Sequence, residues 1–150
     1  QIANPGKLVV DIAGEASVLM TMQEMSTAVQ YNLPIKIFIL NNQYMGMVRQ
    51  WQELLHEKNY SESYTAALPD FVKLAEAYGC VGIQAKKPEE LDEKINEMLN
   101  INKPVIFDCL VDPMENCFPM IPSGKPHNQM LLGPEDEKKN KITGKGKTLV

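Results

Sequence analysis

The stretch LVVDIAGEASVLMTMQEMSTAVQYNLPIKIFIL, residues 8–40, decides the predicted fold. It begins with a short β-branched run at residues 8–12, which predicts a strand. Over residues 17–31 the apolar side chains Val18, Met22, Met25 and Val29 recur at helical spacing. After a proline, residues 35–40 are almost wholly apolar, as expected for a strand that is buried on both faces. The stretch therefore predicts a β-α-β unit with a right-handed crossover.

The second half of the chain repeats the alternation of helix and strand. A helix is predicted between Asp70, which would cap its N-terminus, and Gly79, which would end it. Residues 80–84 and 105–111 predict strands, and a helix that begins at Pro88 lies between them. The alternation predicts an α/β fold in which a mainly parallel sheet is flanked by helices on both faces. The helix after Pro88 is expected to turn its apolar side chains inward: Leu91, Ile95, Met98 and Leu99.

Composition and charge narrow the possible partners. The chain has 150 residues, 44% of them hydrophobic and 23% charged, as in an ordinary soluble domain. No apolar run approaches the ~20 residues that a membrane helix needs, so no membrane partner is expected. The net charge of -4 gives no electrostatic reason to expect nucleic acid.

The cysteines and the first residue bear on location. Cys80, Cys109 and Cys117 are too scattered for a disulfide framework, and none forms a C-x-x-C pair that would suit zinc. This usage predicts a reducing cytoplasm, and we expect a bacterial one. Because the chain begins at Gln1 rather than Met, we expect a fragment, and organellar targeting stays open.

Polar residues follow two neighbouring strands of the predicted sheet. Glu15 comes after the first strand, and Asn41 and Asn42 follow the next. Ligands of open parallel sheets bind at the carboxyl ends of the strands, so these side chains are expected to converge. The residues around Glu15 are small enough for backbone N–H groups to approach an anion closely.

The charge of Glu15 indicates what kind of ligand this site takes. A bare phosphate beside the carboxylate would be repelled, and a hard cation between the two removes the conflict. Mg²⁺ accepts carboxylate, amide carbonyl and phosphate oxygens at octahedral positions. The sequence therefore predicts a magnesium-bridged diphosphate held by Glu15 and Asn42.

The sequence does not match the other common phosphate-binding motifs. No G-x-G-x-x-G follows the first strand. The string GKGKT, residues 144–148, resembles the end of a P-loop, but Lys141 stands where the first glycine should be and no strand precedes it. We predict instead a cofactor domain over residues 1–123 and a partly loose charged tail over 124–150.

The two polar clusters also carry a resemblance. Gly14-Glu15-Ala16, followed after 24 residues by Asn41-Asn42, resembles the thiamine-diphosphate motif, Gly-Asp-Gly or Gly-Asp-Ala closed by Asn-Asn. The strings VVDI (9–12), LNNQYMGMVRQW (40–51), PDFVKLAEAYG (69–79) and MIPSG (120–124) resemble the large catalytic subunit of acetolactate (acetohydroxyacid) synthase. The Gly-Met-Val-x-Gln-Trp string separates that family from other thiamine-diphosphate decarboxylases and oxidases.

The resemblance implies a role for each matching position. Glu15 stands at the family's metal-binding Asp, Asn42 at its Asn ligand, and Tyr44 at the backbone carbonyl that completes the protein ligands. Met47 would lie beneath the thiazolium, and Met47 and Trp51 would shape the pocket for the second 2-keto acid. The cofactor contacts implied in this way are Gly14, Ala16, Ser17, Asn42, Tyr44, Met45, Gly46 and Met47.

One departure from the family concerns the metal. Glu15 in place of Asp adds a methylene, which moves the carboxylate outward by about a bond length. Because Mg²⁺ tolerates poor geometry badly, either its affinity falls or the loop adjusts. We expect adjusted binding, and the alternative is a degenerate, non-catalytic module that has lost the metal.

The resemblance further implies an enzyme that condenses pyruvate, with loss of CO₂, with a second 2-keto acid in the synthesis of valine, leucine and isoleucine. The activating glutamate would come from an N-terminal domain of the neighbouring subunit, so no catalytic residue is expected in this chain and a homodimer or larger assembly is implied. An FAD-binding middle domain and a small regulatory subunit are implied as well. Another thiamine-diphosphate enzyme, a pyruvate oxidase or decarboxylase or a glyoxylate carboligase, stays an alternative.

Each singled-out feature also has a plainer interpretation. Glu15 would serve as an ordinary acid at a helix N-terminus, worth ~0.3–1 kcal/mol. The Asn pair would be a turn, and Met47 and Trp51 would be core residues at i, i+4. Residues 53–67 would be a mobile lid over the cofactor or an ordinary exposed loop.

Overall fold

The computed structural model describes residues 1–137, so the GKGKT string and the last part of the predicted tail lie outside the described residues. The described residues form two compact units. The first comprises Gln1–Gln43 and Thr65–Pro113, and the second comprises, among the described residues, Tyr44–Tyr64 and residues 114–137. Among the described helices, none has the length and apolar character to span a membrane.

A four-stranded parallel sheet is the centre of the first unit, and across it the strands lie in the order first, second, fourth and third along the chain. This confirms the predicted α/β fold with a parallel sheet. Because the strands are parallel, all four carboxyl ends lie at one edge. The first three strands begin one or two residues later than predicted. The strands are β1 (Val10–Gly14), β2 (Lys36–Asn41), β3 (Val81–Ala85) and β4 (Val105–Leu110).

The helices lie in both units, and one of them departs from its prediction. The helix predicted over residues 17–31 is interrupted by a 3-10 turn, where the backbone of Thr21 leaves the helical region at φ -134°. The described helices are α1 (Glu15–Thr21), α2 (Met25–Gln30), α3 (Gly46–Leu55), α4 (Phe71–Tyr78), α5 (Leu91–Asn100) and α6 (Pro134–Glu137), with 3-10 turns at Met22–Glu24, Pro88–Glu90 and His127–Gln129.

Helices cover both faces of the sheet, as predicted. On one face, buried residues of α1, α2 and α4, among them Val18 and Phe71, pack against Ile39 and Ile106. On the other face, Met98 of α5 packs with residues of β3 and β4. Burying these apolar side chains is the main term that holds the layers together.

The inward face of α5 is narrower than predicted. Leu91, Ile95 and Met98 pack against the sheet, at the i, i+4, i+7 spacing of a single stripe. Leu99 is 41% exposed, so its predicted inward orientation is wrong. It follows Met98 by one position, about 100° around the helix, and therefore leaves the stripe.

Both predicted ends of α4 are confirmed. The carboxylate of Asp70 accepts hydrogen bonds from the backbone N–H groups of Val72 and Lys73, at 3.1 Å each. Gly79 ends the helix in the left-handed conformation, at φ 83°, which glycine adopts without steric cost. These two residues therefore set the bounds of α4, which packs against β3 and β4.

The substitution Gly82→Ala should destabilise the first unit by about 1–3 kcal/mol. A Cβ at Gly82 would lie 2.7 Å from both the Cα and the carbonyl oxygen of Val72, so backbone of α4 would have to move away from β3. Urea denaturation measures the loss. Gly133→Ala is the matched control, because nothing lies within 4 Å of its added Cβ. Equal denaturation midpoints for the two variants would contradict this close packing.

Candidate cofactor site

Glu15 is a buried carboxylate at the carboxyl end of β1. It is the first residue of α1 and only 1% exposed. The hydroxyl of Thr65 donates to Oε1 at 3.4 Å, and the backbone N–H groups of Glu15 and Asn42 also bond to the carboxylate. Among residues 1–137, Glu15 forms no ion pair with a basic side chain. Its charge is therefore buried with neutral donors only.

The surroundings of Glu15 disfavour its charged form. Burial raises the pKa of the Glu15 carboxyl, and the negative charge of Asp108 raises it further. Hydrogen bonds from the backbone and from Thr65 oppose the rise but do not cancel it. A group in this position gains from a cation that neutralises it.

The turn after β2 brings Asn42 next to Glu15. Hydrogen bonds of Asn41 hold this turn. Asn41 is buried and donates its side-chain N–H to Oδ1 of Asp108 at 2.9 Å. The side-chain oxygen of Asn41 accepts from the backbone N–H of Gln43 at 3.2 Å. Gln43 has φ 60°, and its carbonyl accepts from the backbone N–H of Thr65 at 2.9 Å. The predicted approach of Glu15 and Asn42 is thus present in the first unit.

Three residues that bond to the site were not predicted from the sequence: Asp108, Gln84 and Thr65. Asp108 is 2% exposed, and its second oxygen accepts from the side chain of Gln84 at 2.7 Å. One signal was available for Asp108, an acid inside the otherwise apolar strand VIFDCL, because a buried acid requires partners. No sequence signal distinguished Thr65 from other residues of its loop.

The small residues after β1 leave open space around the backbone. Gly14 has an ordinary extended conformation, at φ -84°, so its backbone does not require glycine. A Cβ there would meet only the hydroxyl of Ser17, at 3.9 Å. A cavity of about 460 Å³ runs beside β1 and α1, and Gly14 and Ser17 are among its lining residues. Ala16, the third predicted diphosphate contact, is half-buried and does not line that cavity.

The second unit contains a separate apolar groove along α3. The groove has a volume of about 730 Å³, and Met47 in its wall is 51% exposed. The plainer interpretation of Met47 as a core residue is therefore wrong for the described chain. The predicted pocket residues Met47 and Trp51 lie on this groove together with Val48, Gln52, Leu55 and His56.

The other face of α3 is fixed by buried polar contacts that were not predicted from the sequence. The guanidinium of Arg49 donates to the Glu53 carboxylate at 2.6 Å and to the carbonyls of Met114 and Glu115 at 3.2 and 3.0 Å. Gln50 exchanges two hydrogen bonds with the backbone of Cys117, at 3.1 and 2.7 Å. These contacts hold α3 by one face and leave Met47 and Trp51 facing the groove.

The predicted lid over residues 53–67 is partly helix, since α3 continues to Leu55. Near its end the segment is tied to the start of α3, because the carbonyl of Ser63 accepts from the backbone N–H of Met45 at 2.8 Å. Tyr44 forms a β-bridge with Tyr64. Tyr44, Met45, Gly46 and Met47 therefore belong to the second unit, whereas Glu15 and Asn42 belong to the first.

The described residues contain no metal site made of side chains alone. Within residues 1–137, no three His, Cys, Asp or Glu side chains are grouped so that they could hold a metal ion. The predicted magnesium site needs no such group, because it uses one carboxylate, an amide oxygen, a backbone carbonyl and the oxygens of a diphosphate.

Comparison with known proteins identifies the family of this domain. The family model "Thiamine pyrophosphate enzyme, C-terminal TPP binding domain" matches residues 1–109. The acetolactate synthase large subunit of Cyanidium caldarium is 47% identical over 132 residues, which is 87% of this chain and 23% of that protein. The isozyme 3 large subunit of Escherichia coli is 45% identical over 135 residues, 88% of this chain and 24% of that protein.

A solved structure agrees with the sequence matches. A thiamine diphosphate-dependent 4-hydroxybenzoylformate decarboxylase from Rhodococcus jostii has a TM-score of 0.69 and 27% identity, covering 75% of this chain and 21% of that one. The chain thus spans about a quarter of the length of the relatives it matches. Since the family model matches well over half of the residues, the chain belongs to the C-terminal thiamine-pyrophosphate-binding domains of thiamine pyrophosphate enzymes.

Proposed function

We propose that the chain is the cofactor-binding part of an acetolactate synthase, which condenses pyruvate, with loss of CO₂, with a second 2-keto acid in branched-chain amino-acid synthesis. One observation carries the cofactor assignment: the buried Glu15 carboxylate meets the Asn42 turn at the carboxyl edge of a parallel sheet. The identity of 45–47% to relatives named acetolactate synthase supports the choice of reaction.

The residues of the first unit fit a magnesium ion. The Glu15 carboxylate is buried without a basic partner among residues 1–137, and the charge of Asp108 adds to its negative surroundings. A divalent cation offsets both charges, and Mg²⁺ prefers carboxylate and amide oxygens. Glu15 and Asn42 would supply those oxygens, and by resemblance the backbone carbonyl of Tyr44 would supply a third.

Thiamine diphosphate, when bound, supplies the carbon nucleophile of the reaction, and this chain binds and orients it. Gly14, Ala16 and Ser17 would lie along the diphosphate, where the space beside Gly14 is open. By resemblance, Met45, Gly46 and Met47 are further cofactor contacts. In the groove of the second unit, Met47 and Trp51 present apolar surface that suits the aliphatic side chain of a 2-keto acid.

The extra methylene of Glu15 is accommodated by its neighbours in this proposal. The hydroxyl of Thr65 and the backbone N–H of Asn42 fix the longer side chain near the turn. Adjusted magnesium binding is therefore favoured over the degenerate, non-catalytic module.

We further propose the assembly and location that the family implies. The activating glutamate would come from the neighbouring subunit of a homodimer or larger assembly. The complete enzyme would also contain an FAD-binding domain, associate with a small regulatory subunit and work in the cytoplasm.

The 150-residue chain alone, supplied with thiamine diphosphate, Mg²⁺ and pyruvate, should make no acetolactate. In this proposal the activating glutamate lies in a domain outside the chain, so the chain binds the cofactor without turning it over. Product analysis by mass spectrometry measures the outcome. If the chain makes more acetolactate than an Asn42→Ala control, turnover does not need a glutamate from outside the chain, and the prediction is wrong.

A chimera tests the reaction itself. In the chimera, this chain replaces the segment of the Escherichia coli isozyme 3 large subunit that aligns with it over 135 residues. The products formed from pyruvate are then analysed. Acetolactate supports the proposed function. The likeness to a decarboxylase favours simple decarboxylation as the second candidate, and acetaldehyde as the main product would support it. An Asn42→Ala chimera, expected to give neither product, is the matched control.

A further inference from the structure

Asp108 is a buried carboxylate that neither the predicted ligand set nor the proposed reaction uses. It lies in β4 and is 2% exposed. Removing a carboxylate from water is costly unless its oxygens are hydrogen-bonded. Both oxygens of Asp108 accept from side-chain amides, Oδ1 from Asn41 at 2.9 Å and Oδ2 from Gln84 at 2.7 Å. Such a fully bonded acid inside an apolar strand fixes the groups that bond to it.

Asn41 transmits this constraint to the turn that carries Asn42. Its amide N–H bonds to Asp108, which orients its oxygen toward the backbone N–H of Gln43 at 3.2 Å. Gln43 occupies the left-handed region at φ 60°, which costs a non-glycine residue about 1–3 kcal/mol. The hydrogen bond from Gln43 to Asn41 therefore stabilises a turn whose conformation is unfavourable by itself.

The same turn is connected to Glu15 on its other side. The carbonyl of Gln43 accepts from the backbone of Thr65, whose hydroxyl donates to Glu15. The backbone N–H of Asn42 bonds to the Glu15 carboxylate. Asn42 thus lies between two anchors, Asp108 in β4 and Glu15 at the end of β1, and all of these residues belong to the first unit.

We propose that Asp108 is a positioning residue that, through Asn41, fixes the turn 41–43 so that Asn42 and Glu15 bind the same divalent cation. This inference rests on the proposed function, because it takes Glu15 and Asn42 as the metal ligands. Asp108 touches neither the metal nor the substrate in this account and acts only through hydrogen bonds.

Two substitutions separate hydrogen bonding from charge. Asp108→Ala removes the acceptor for Asn41 and frees the turn. Asp108→Asn removes the charge but keeps an acceptor oxygen for Asn41, and the amide of Gln84 can rotate by 180° to accept from the new N–H₂ group. Ile106→Val is the matched control, because it removes one buried methylene from the same strand, at about 0.5–1.5 kcal/mol, and touches no hydrogen bond of the turn.

The first measurement is Mn²⁺ affinity of the 150-residue chain, by electron paramagnetic resonance with saturating thiamine diphosphate. Asp108→Ala should weaken Mn²⁺ binding about 10–100-fold, the usual effect of losing a group that orients a metal ligand. Asp108→Asn should recover most of the affinity, and Ile106→Val should retain it. Unchanged affinity in Asp108→Ala, or the same loss in Ile106→Val, would overturn the positioning role.

The second measurement needs no metal. Hydrogen exchange at the backbone N–H of Gln43 should be faster in Asp108→Ala than in Ile106→Val or the unaltered chain. Asn41→Ala breaks the same bridge one residue nearer the metal and should reproduce both effects if Asp108→Ala does not fold. If exchange at Gln43 is equally fast in Asp108→Ala and in the unsubstituted chain, the positioning role alone is refuted. If the unsubstituted chain binds no Mn²⁺, the proposed function is refuted, and this inference with it.

Discussion

Replacing Arg49 by methionine should lower the free energy of unfolding of the second unit by about 3–5 kcal/mol, the range for removing one partner of a buried ion pair. Arg49 is 0% exposed, and its guanidinium bonds to Glu53 and to two backbone carbonyls. Without it, the Glu53 carboxylate loses a 2.6 Å ion pair and the carbonyls lose buried donors. Methionine fills the space but replaces none of these bonds.

The Arg49 prediction can be followed from within the second unit. Trp51 is the single tryptophan of the chain, so its fluorescence during urea denaturation reports on α3. Lys58→Met is the matched control, since Lys58 also pairs with Glu53 but at 3.9 Å and with an exposed side chain. It should cost about 0–1 kcal/mol. Equal losses in the two variants would contradict the assignment of Arg49 as the residue that fixes α3.

Glu15→Gln should have opposite effects on stability and on metal binding. Glutamine has the same shape, its carbonyl oxygen can accept from the backbone N–H of Asn42, and its side-chain N–H₂ can donate to the hydroxyl of Thr65. It has no charge to bury, so the metal-free variant should be more stable than the unaltered chain at neutral pH. Losing a residue that only orients a metal ligand weakens metal binding about 10–100-fold. Removing the anionic ligand itself should weaken Mg²⁺ binding by at least that much.

The pH dependence of this stability difference has a definite sign. Burial raises the pKa of Glu15 in the folded chain, so the folded state keeps its proton to a higher pH than the unfolded state does. The unaltered chain should therefore lose stability relative to Glu15→Gln as pH rises from about 4.3, the ordinary pKa of glutamate, to the raised value. Below that window the two chains should differ little.

Thermal unfolding with and without Mg²⁺ and thiamine diphosphate measures both effects of Glu15→Gln. The unaltered chain should gain stability from the two ligands, and the variant should gain less at the same ligand concentrations. Glu97→Gln removes an exposed acid from α5 and should behave like the unaltered chain. A variant that is less stable without metal and equally stabilised by it would contradict the role given to Glu15.

Local patterns predicted the fold well. Apolar runs marked all four strands, and Asp70 and Gly79 marked both ends of α4, because strand burial and helix capping depend on residues close in sequence. The approach of Glu15 to the Asn42 turn followed from strand order, since β1 and β2 are parallel neighbours. The interruption of the first helix at Thr21 was not predicted. Leu99 was predicted to face inward, but it lies one position beyond Met98 and so outside the apolar stripe of α5.

The pairings that hold the site could not be predicted from the sequence, although the acid inside an apolar strand marked Asp108 as a residue that needs partners. Asp108 meets Asn41 across 67 residues of chain, Thr65 meets Glu15 across 50, and Arg49 reaches Met114 across 65. A hydrogen bond at such separation depends on the register of strands and on how loops close, which no local pattern contains. The ligands were therefore predictable as strand ends, whereas the residues that orient them were not.

Calorimetric titration of thiamine diphosphate into the chain, with and without Mg²⁺, tests the central claim most directly. We predict binding at one site that requires Mg²⁺, is at least about 10-fold weaker in Asn42→Ala and in Glu15→Gln, and persists in Glu15→Asp, which restores the acid expected from the family. Binding of equal affinity without Mg²⁺, or in the Asn42→Ala and Glu15→Gln variants, would contradict a magnesium-bridged cofactor held by Glu15 and Asn42.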